Sequence, residues 1–305
     1  MSDRQVICRY LAGADNKHNP QDKSLPPIDT TQREKWPPPG PPPDPAEVQA
    51  ELDRARQELA SGADPLRARV RAVLALLRQE YGEPNWPILD PVGTLVEILL
   101  GHRTTDPVSW QAFNQLRRRF PTWEQVRDAP VEDIQVAIHG VTWPDQKAYR
   151  IKAVLQQITE ERGSIDLSFL CDMPLEEANA WLQRLPGVGP KSAACVLLFA
   201  CHRPILPVDT HVHRVSIRLG LIGEKVSADE AHAILLSLLP DPTSAHDVLA
   251  FHRNMLLHGQ RVCVWRDPRC YKCVLRNWCH YFASHPEKQK QAEALASRLR
   301  SGSTA

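Results

Sequence analysis

Four cysteines, Cys263, Cys270, Cys273 and Cys279, crowd into seventeen residues in the order Cys-x6-Cys-x2-Cys-x5-Cys. Four thiolates on one short loop can wrap a single metal centre, either tetrahedral zinc or a cubane iron–sulfur cluster, because the backbone must only curl round one object a few ångströms wide. Zinc sites more often bring two CxxC pairs, and only one is present, so the spacing leans toward iron–sulfur. Arg266, Arg269, Lys272 and Arg276 decorate the same loop, and cations pinned by a metal suit phosphates. A merely solvated basic loop is the alternative. The other four cysteines, Cys8, Cys171, Cys195 and Cys201, are scattered. In a reducing compartment none of the eight is expected to form a disulfide.

Outside the cysteine loop, hydrophobic spacing is helical almost throughout. Leu66, Val70, Val73, Leu74 and Leu77 recur at three and four, with similar stripes over Val92 to Leu100, Trp110 to Phe120 and Ala148 to Ile158. No alternating strand pattern competes. Gly82 with Pro84, Gly101, Pro121, Pro130, Gly140, Gly163, Pro174, Gly220, Pro240 and Gly259 read as stops that divide the region into about ten helices. The expected class is all-α, without a repeat.

Eleven of the 27 prolines precede residue 66, seven of them between Trp36 and Pro45. Such a run favours extended polyproline II and cannot build a core, so residues 1 to 62 read as a tail and linker. Residues 284–305 read as a polar tail, at most a frayed helix.

The 305 residues hold 37 Lys and Arg against 36 Asp and Glu, so any affinity for nucleic acid must come from locally clustered charge. The longest uncharged apolar run, Ser192 to Cys201, falls far below the roughly 20 residues a membrane-spanning helix needs. Met1 to Arg4 lead into no signal-peptide core. The expectation is an intracellular protein of the cytoplasm or nucleoid, monomeric and free of membrane.

Leu185-Pro-Gly187-Val188-Gly189-Pro190-Lys191 separates two helical stretches, Leu175 to Leu185 and Lys191 to Cys201. Paired glycines permit a tight hairpin with outward amides, and Pro190 suits the first turn of a helix, where its missing N–H is no loss. Together they form a phosphate seat at a helix N-terminus. Lys191, at the positive end of that helix and beside an apolar run, is favoured as the neutral, nucleophilic amine. Asp209 precedes the helical Thr210 to Leu219 and is placed to cap it, which leaves room for a free oxygen aimed at a cleft. Helical spacing puts His211 and Arg214 on one face and His213 elsewhere, so these are not read as metal ligands.

LPGVGPKSA, then VDTHVHR eighteen residues after the lysine, then Leu257-His258-Gly259 ahead of the four cysteines, resembles the endonuclease III family of DNA glycosylases, within the helix-hairpin-helix superfamily. The resemblance implies a two-lobed, all-α helix-hairpin-helix glycosylase fold. A six-helix barrel over 84–203 would carry the hairpin, and residues 63–83 with 204–283 would form a lobe holding a [4Fe-4S] cluster. Double-stranded DNA bearing damaged bases or abasic sites would lie across the cleft. Position by position, it makes Lys191 the nucleophile, Asp209 the catalytic aspartate, Gly187-Val188-Gly189 the phosphate grip and the four cysteines the cluster ligands. The activity implied is bifunctional: removal of oxidised pyrimidines and cleavage of the strand at the abasic site by β-elimination. Family members commonly carry a glutamine that fills the gap left by the flipped base, where this chain has Arg103; a guanidinium can also donate to the orphaned base. The second insertion loop, Gly140 to Ala148, offers Trp143 as an intercalating wedge ahead of Lys147-Ala148. A monofunctional mismatch glycosylase and a catalytically silent DNA-binding protein are the competing readings; Lys191 argues against the first, and Lys191 with Asp209 against the second.

Overall fold

A computed structural model describes residues 37–86 and 89–300 of the chain, with no side-chain description at 296 and 298–300. Among the described residues there are fourteen α-helices, three short 3-10 turns and no strand, as the periodicity implied. No described helix is long and apolar enough to cross a membrane. In chain order the helices are α1 (Pro45–Ala60), α2 (Pro65–Tyr81), α3 (Pro91–Gly101), α4 (Asp106–Arg119), α5 (Trp123–Asp128), α6 (Val131–Ala137) and α7 (Pro144–Arg162). They continue with α8 (Leu175–Gln183), α9 (Pro190–Phe199), α10 (Thr210–Leu219), α11 (Ala228–Leu238), α12 (Ala245–Arg261), α13 (His280–Ser284) and α14 (Pro286–Arg300).

Asp-Pro pairs open the first three helices. Asp44, Asp64 and Asp90 each accept a backbone N–H of the first turn, at 2.7, 2.9 and 2.8 Å, and the proline that follows needs no partner there. Several prolines that punctuate the sequence therefore begin helices instead of ending them.

The contacts divide the chain into two compact units. One holds residues 86–188, the six helices α3 to α8, around a core that includes Leu95, Leu99, Leu116, Ile134, Ile151 and Leu155. The other joins residues 38–85 to the chain from Gly189 onward. This division falls earlier than the 203/204 boundary that the resemblance implied and assigns α9 to the second unit.

The ends of the chain correct two expectations. Residues 45–60, read as part of a tail, form α1, whose Val48, Leu52 and Ala55 bury against Ala72 and Ala75 of α2, with Leu76 and Trp278 alongside. Arg71 of α2 pairs with Glu51 and Glu58 of α1. The proline segment ahead of it is tethered: Gly40 N donates to Glu83 O at 2.7 Å, and Asn85 Nδ2 donates to Pro38 O. Positions 1–36 lie outside the described residues. At the other end, residues 286–300 are helical, and Lys288 pairs with Asp267 on the cysteine loop. Gly259, read as a stop, lies inside α12; a methyl group there would come within 2.8 Å of His211 Cβ, so glycine marks the close approach of α12 to α10.

Because α1 is part of the core, Leu52→Ala should destabilise the protein by about 2–3 kcal/mol, read as a lower urea midpoint. An unchanged midpoint would mean that the helix is an appendage.

Candidate functional site

The hairpin forms as its sequence implies. Leu185 N donates to Leu182 O and Val188 N to Leu185 O, Gly187 takes φ +77°, and α9 starts at Pro190 behind an extended Gly189. Gly187 has two reasons to be glycine: the left-handed backbone, and the side chain of Arg150, which a methyl group there would overlap. Gly189 faces open space. Val188 does not fit its expected place in a phosphate grip. Its side chain is buried and its N–H is already spent inside the turn, so it anchors the hairpin in the first unit. Arg150, unnoticed in the sequence, borders the same open groove as Tyr149, Pro186 and Gly187. It brings to the hairpin the cation that the glycines lack.

In the second unit, Lys191 is the second residue of α9, partly exposed. Residues 202–209 run without helix from the end of α9 to α10, with Leu206 and Val208 buried as anchors. They deliver Asp209 to the N-terminus of α10. Its Oδ1 accepts from both His211 N, at 2.8 Å, and Val212 N, at 2.7 Å, so the cap is complete on one oxygen and Oδ2 is not spent on it.

His252, fully buried on α12, ties these two residues to one place. Its Nδ1 donates to Pro207 O at 2.9 Å, which fixes the tautomer and leaves Nε2 as an acceptor. Burial pushes its pKa down to about 4; the Asp209 charge opposes that shift and the Lys191 charge reinforces it. His232, also held down chiefly by burial, is lowered by Lys191 as well. Lys191 and Asp209 thus act on the same buried imidazole. Neither histidine carries a sequence motif.

His211 and Arg214 share a face as expected: Arg214 Nη2 lies 3.0 Å from His211 Nδ1 and donates to Gly259 O at 2.9 Å. His213 turns away to Val226 O at 2.8 Å.

The four clustered cysteines are free thiols lining one apolar cavity with Val215, Leu219, His258 and Leu275. Burial, reinforced by the neighbouring sulfurs, pushes Cys273 up to about 12 and Cys270 up to about 11. A metal bound by the thiols would lower these values. Among the described residues no three ligating side chains are grouped as a single metal ion would need. The loop is held from α10: Arg218 donates to Cys263 Sγ at 3.3 Å and to the carbonyls of Val264 and Trp265 at 2.7 Å each. Arg266 and Lys272 are exposed, whereas Arg269 donates to Arg261 O at 2.9 Å. Contrary to the sequence expectation, Cys171 in the first unit and Cys201 in the second are each in a disulfide; compartment alone does not decide the state of a given sulfur.

Arg103 and Trp143, both exposed and both in the first unit, adopt left-handed backbone at φ +53° and +54°. Each such non-glycine residue costs about 1–2 kcal/mol. The Arg103 guanidinium lies 5.9 Å from the Trp143 ring, so the two expected insertion residues meet at one edge.

Residues 96–241 match the model of the HhH-GPD superfamily of base excision DNA repair proteins. The chain is 32% identical over 193 residues to endonuclease III of Thermotoga maritima, covering 63% of this chain and 84% of that protein. It is 30% identical over 175 residues to the DNA glycosylase/AP lyase ROS1 of Arabidopsis thaliana, covering 53% of this chain and 13% of that one. The chain spans 55% of another Arabidopsis protein, to which it is 35% identical over 168 residues, 54% of this chain. In fold it is similar to the protein in a non-covalent endonuclease III–DNA complex, with a TM-score of 0.63 and 24% identity over 73% of this chain and 99% of that one.

The depressed His252 makes a pH prediction. An imidazole that ionises near 6.5 when unfolded but about 4 when folded leaves the unfolded chain holding more protons between those values, so stability falls as pH drops through that window. The slope from this one group is about 1.4 kcal/mol per pH unit. Burial pushes His258 down to about 4 as well, so urea unfolding between pH 6.5 and 4 should show more than that slope, and His252→Gln should reduce it by about one group's share; an equal slope in the variant would contradict the placement.

Proposed function

Because the chain belongs to the endonuclease III-like DNA glycosylases of the HhH-GPD superfamily, we propose that it is a bifunctional DNA glycosylase and AP lyase that excises oxidised pyrimidines from duplex DNA. What supports this reading is that Asp209 caps α10 with one oxygen and keeps the other unspent, while Lys191 opens α9, and the charges of both bear on the same buried His252. A target carbon inside the base stack is out of reach, so the damaged nucleotide is flipped out. The unspent oxygen of Asp209 offsets positive charge growing on the sugar as the base departs with the glycosidic electron pair. Lys191 Nζ bonds to C1′, loses its proton, and the sugar ring opens to a protonated Schiff base. The iminium acidifies C2′; loss of that proton drives electrons into a new C2′–C3′ double bond and expels the 3′ phosphate. Water then hydrolyses the imine and frees the lysine. Gly187 and Gly189, with Arg150 at the turn, hold backbone phosphate, and Arg266, Arg269 and Lys272 supply further cations.

Cys263, Cys270, Cys273 and Cys279 would hold the [4Fe-4S] cluster toward which their spacing leans and which the family resemblance implies. The donor set fits: four soft thiols line one apolar cavity. The cluster would supply a rigid, charged core for the cation-bearing loop, and no step of the reaction needs it. Purified protein should therefore be coloured and release iron with acid-labile sulfide; a colourless, zinc-containing preparation would overturn the assignment.

The chemistry is tested with duplexes holding thymine glycol or an abasic site, treated with borohydride. Wild type should form a covalent adduct that Lys191→Gln abolishes. Asp209→Asn preserves the cap and should slow adduct formation on thymine glycol by about 10²–10³. Base release without an adduct would indicate the monofunctional mismatch glycosylase, and binding alone the silent DNA-binding protein.

A further inference from the structure

We propose that Lys147 is a positioning residue for DNA strand insertion: its buried ammonium locks the Arg103 loop and the Trp143 loop into one preformed edge. The proposal rests on the glycosylase reading, in which that edge enters the duplex where the base has left. In sequence Lys147 follows the second insertion loop as the lysine of Lys147-Ala148, in the first turn of a helix, and solvent is where a lysine ordinarily belongs. Instead it is 2% exposed.

All of its hydrogen-bonding capacity is used. Nζ donates to Leu100 O at 2.6 Å, to His102 O at 2.8 Å and to Thr104 Oγ1 at 2.8 Å, which accounts for all three ammonium protons. Leu100 ends α3 together with Gly101, so the lysine takes a carbonyl that the helix cannot satisfy itself, at the negative end of the helix dipole. The Thr104 hydroxyl also accepts from Thr142 N at 3.1 Å, which fills its two lone pairs. Thr142 Oγ1 donates in turn to Arg103 O at 3.0 Å. Residues 100–104 and 142–143 are thereby joined by a closed set of bonds centred on one ammonium.

Closure matters because of what the loops present. Arg103 and Trp143 sit on either side of the bonded set, each in a left-handed conformation that an unsupported loop would abandon. The clamp holds both backbones there and so holds the guanidinium against the indole. An edge already rigid before DNA arrives loses little freedom on insertion. Arginine cannot stand in for Lys147, since a planar fork does not match three acceptors spread around a point. Methionine has nearly the right length but removes the donor from Leu100 O and leaves His102 O only the 3.4 Å bond from Thr104 Oγ1.

A role in insertion separates from a merely structural one by the substrate. A single-stranded abasic oligonucleotide has no partner strand to part, so Lys191 can reach it without the edge. Lys147→Met should lower borohydride trapping on an abasic duplex by about a hundredfold while leaving the single-stranded substrate within about twofold of wild type. Thr104→Val removes the shared hydroxyl and should show the same split more weakly; it decides the matter if Lys147→Met does not fold. A second arm is independent of chemistry: in a duplex with 2-aminopurine opposite a tetrahydrofuran abasic analogue, saturating wild-type protein should raise the fluorescence as the edge unstacks the orphaned base, and either variant should lose most of that rise. Equal trapping losses on both substrates, or fluorescence unchanged in the variants, would overturn the proposal. Wild type that traps neither substrate would overturn the enzymatic reading instead, and the fluorescence would still decide the clamp.

Discussion

One carboxylate oxygen carries the chemical reading. Asp209 Oδ1 takes the two backbone donors that α10 needs at its start, and so the second oxygen is left over from structural duty. A cap that engaged both oxygens would make Asp209 a purely architectural residue. The division of labour depends on what lies upstream: Leu206 and Val208 bury and fix the extended approach, and Pro207 offers its carbonyl to His252. The same short segment therefore positions the carboxylate and orients the buried imidazole that senses it.

That imidazole sets the electrostatic character of the site. Kept neutral by burial, it adds no charge beside Lys191, and its donated Nδ1 proton leaves an acceptor on the other nitrogen. In an apolar surrounding, the fields of one amine and one carboxylate are felt more strongly than in water. On the cysteine loop a different logic holds. Arg214 and Arg218 grip the backbone carbonyls that begin the loop, so its conformation is specified from α10 as well as by whatever the sulfurs hold.

Much of this was legible in the sequence where a residue type has a single physical use. The glycine hairpin, the start of α10 at Thr210, the common face of His211 and Arg214 and the crowding of four sulfurs all follow from local rules. The failures share a different cause. α1 was lost in a proline-rich stretch because prolines were counted as breakers, although Asp44-Pro45 opens a helix and Val48, Leu52 and Ala55 already carry helical spacing. Gly259 was read as a stop when its missing side chain serves a helix crossing. Val188 belongs to the expected phosphate grip, and its N–H donates within the turn to Leu185 O. His252, Arg150 and the burial of Lys147 are not legible in the sequence because their partners come from other elements; nothing in a lysine's neighbours in sequence tells that three acceptors will surround it.

The account stands or falls on which amine meets the sugar. Digestion and mass spectrometry of the borohydride-reduced complex with an abasic duplex locate the bond directly. The account predicts the sugar remnant on the peptide that contains Lys191, and on no other; a remnant on a different lysine, or on the chain's terminal amine, would contradict it.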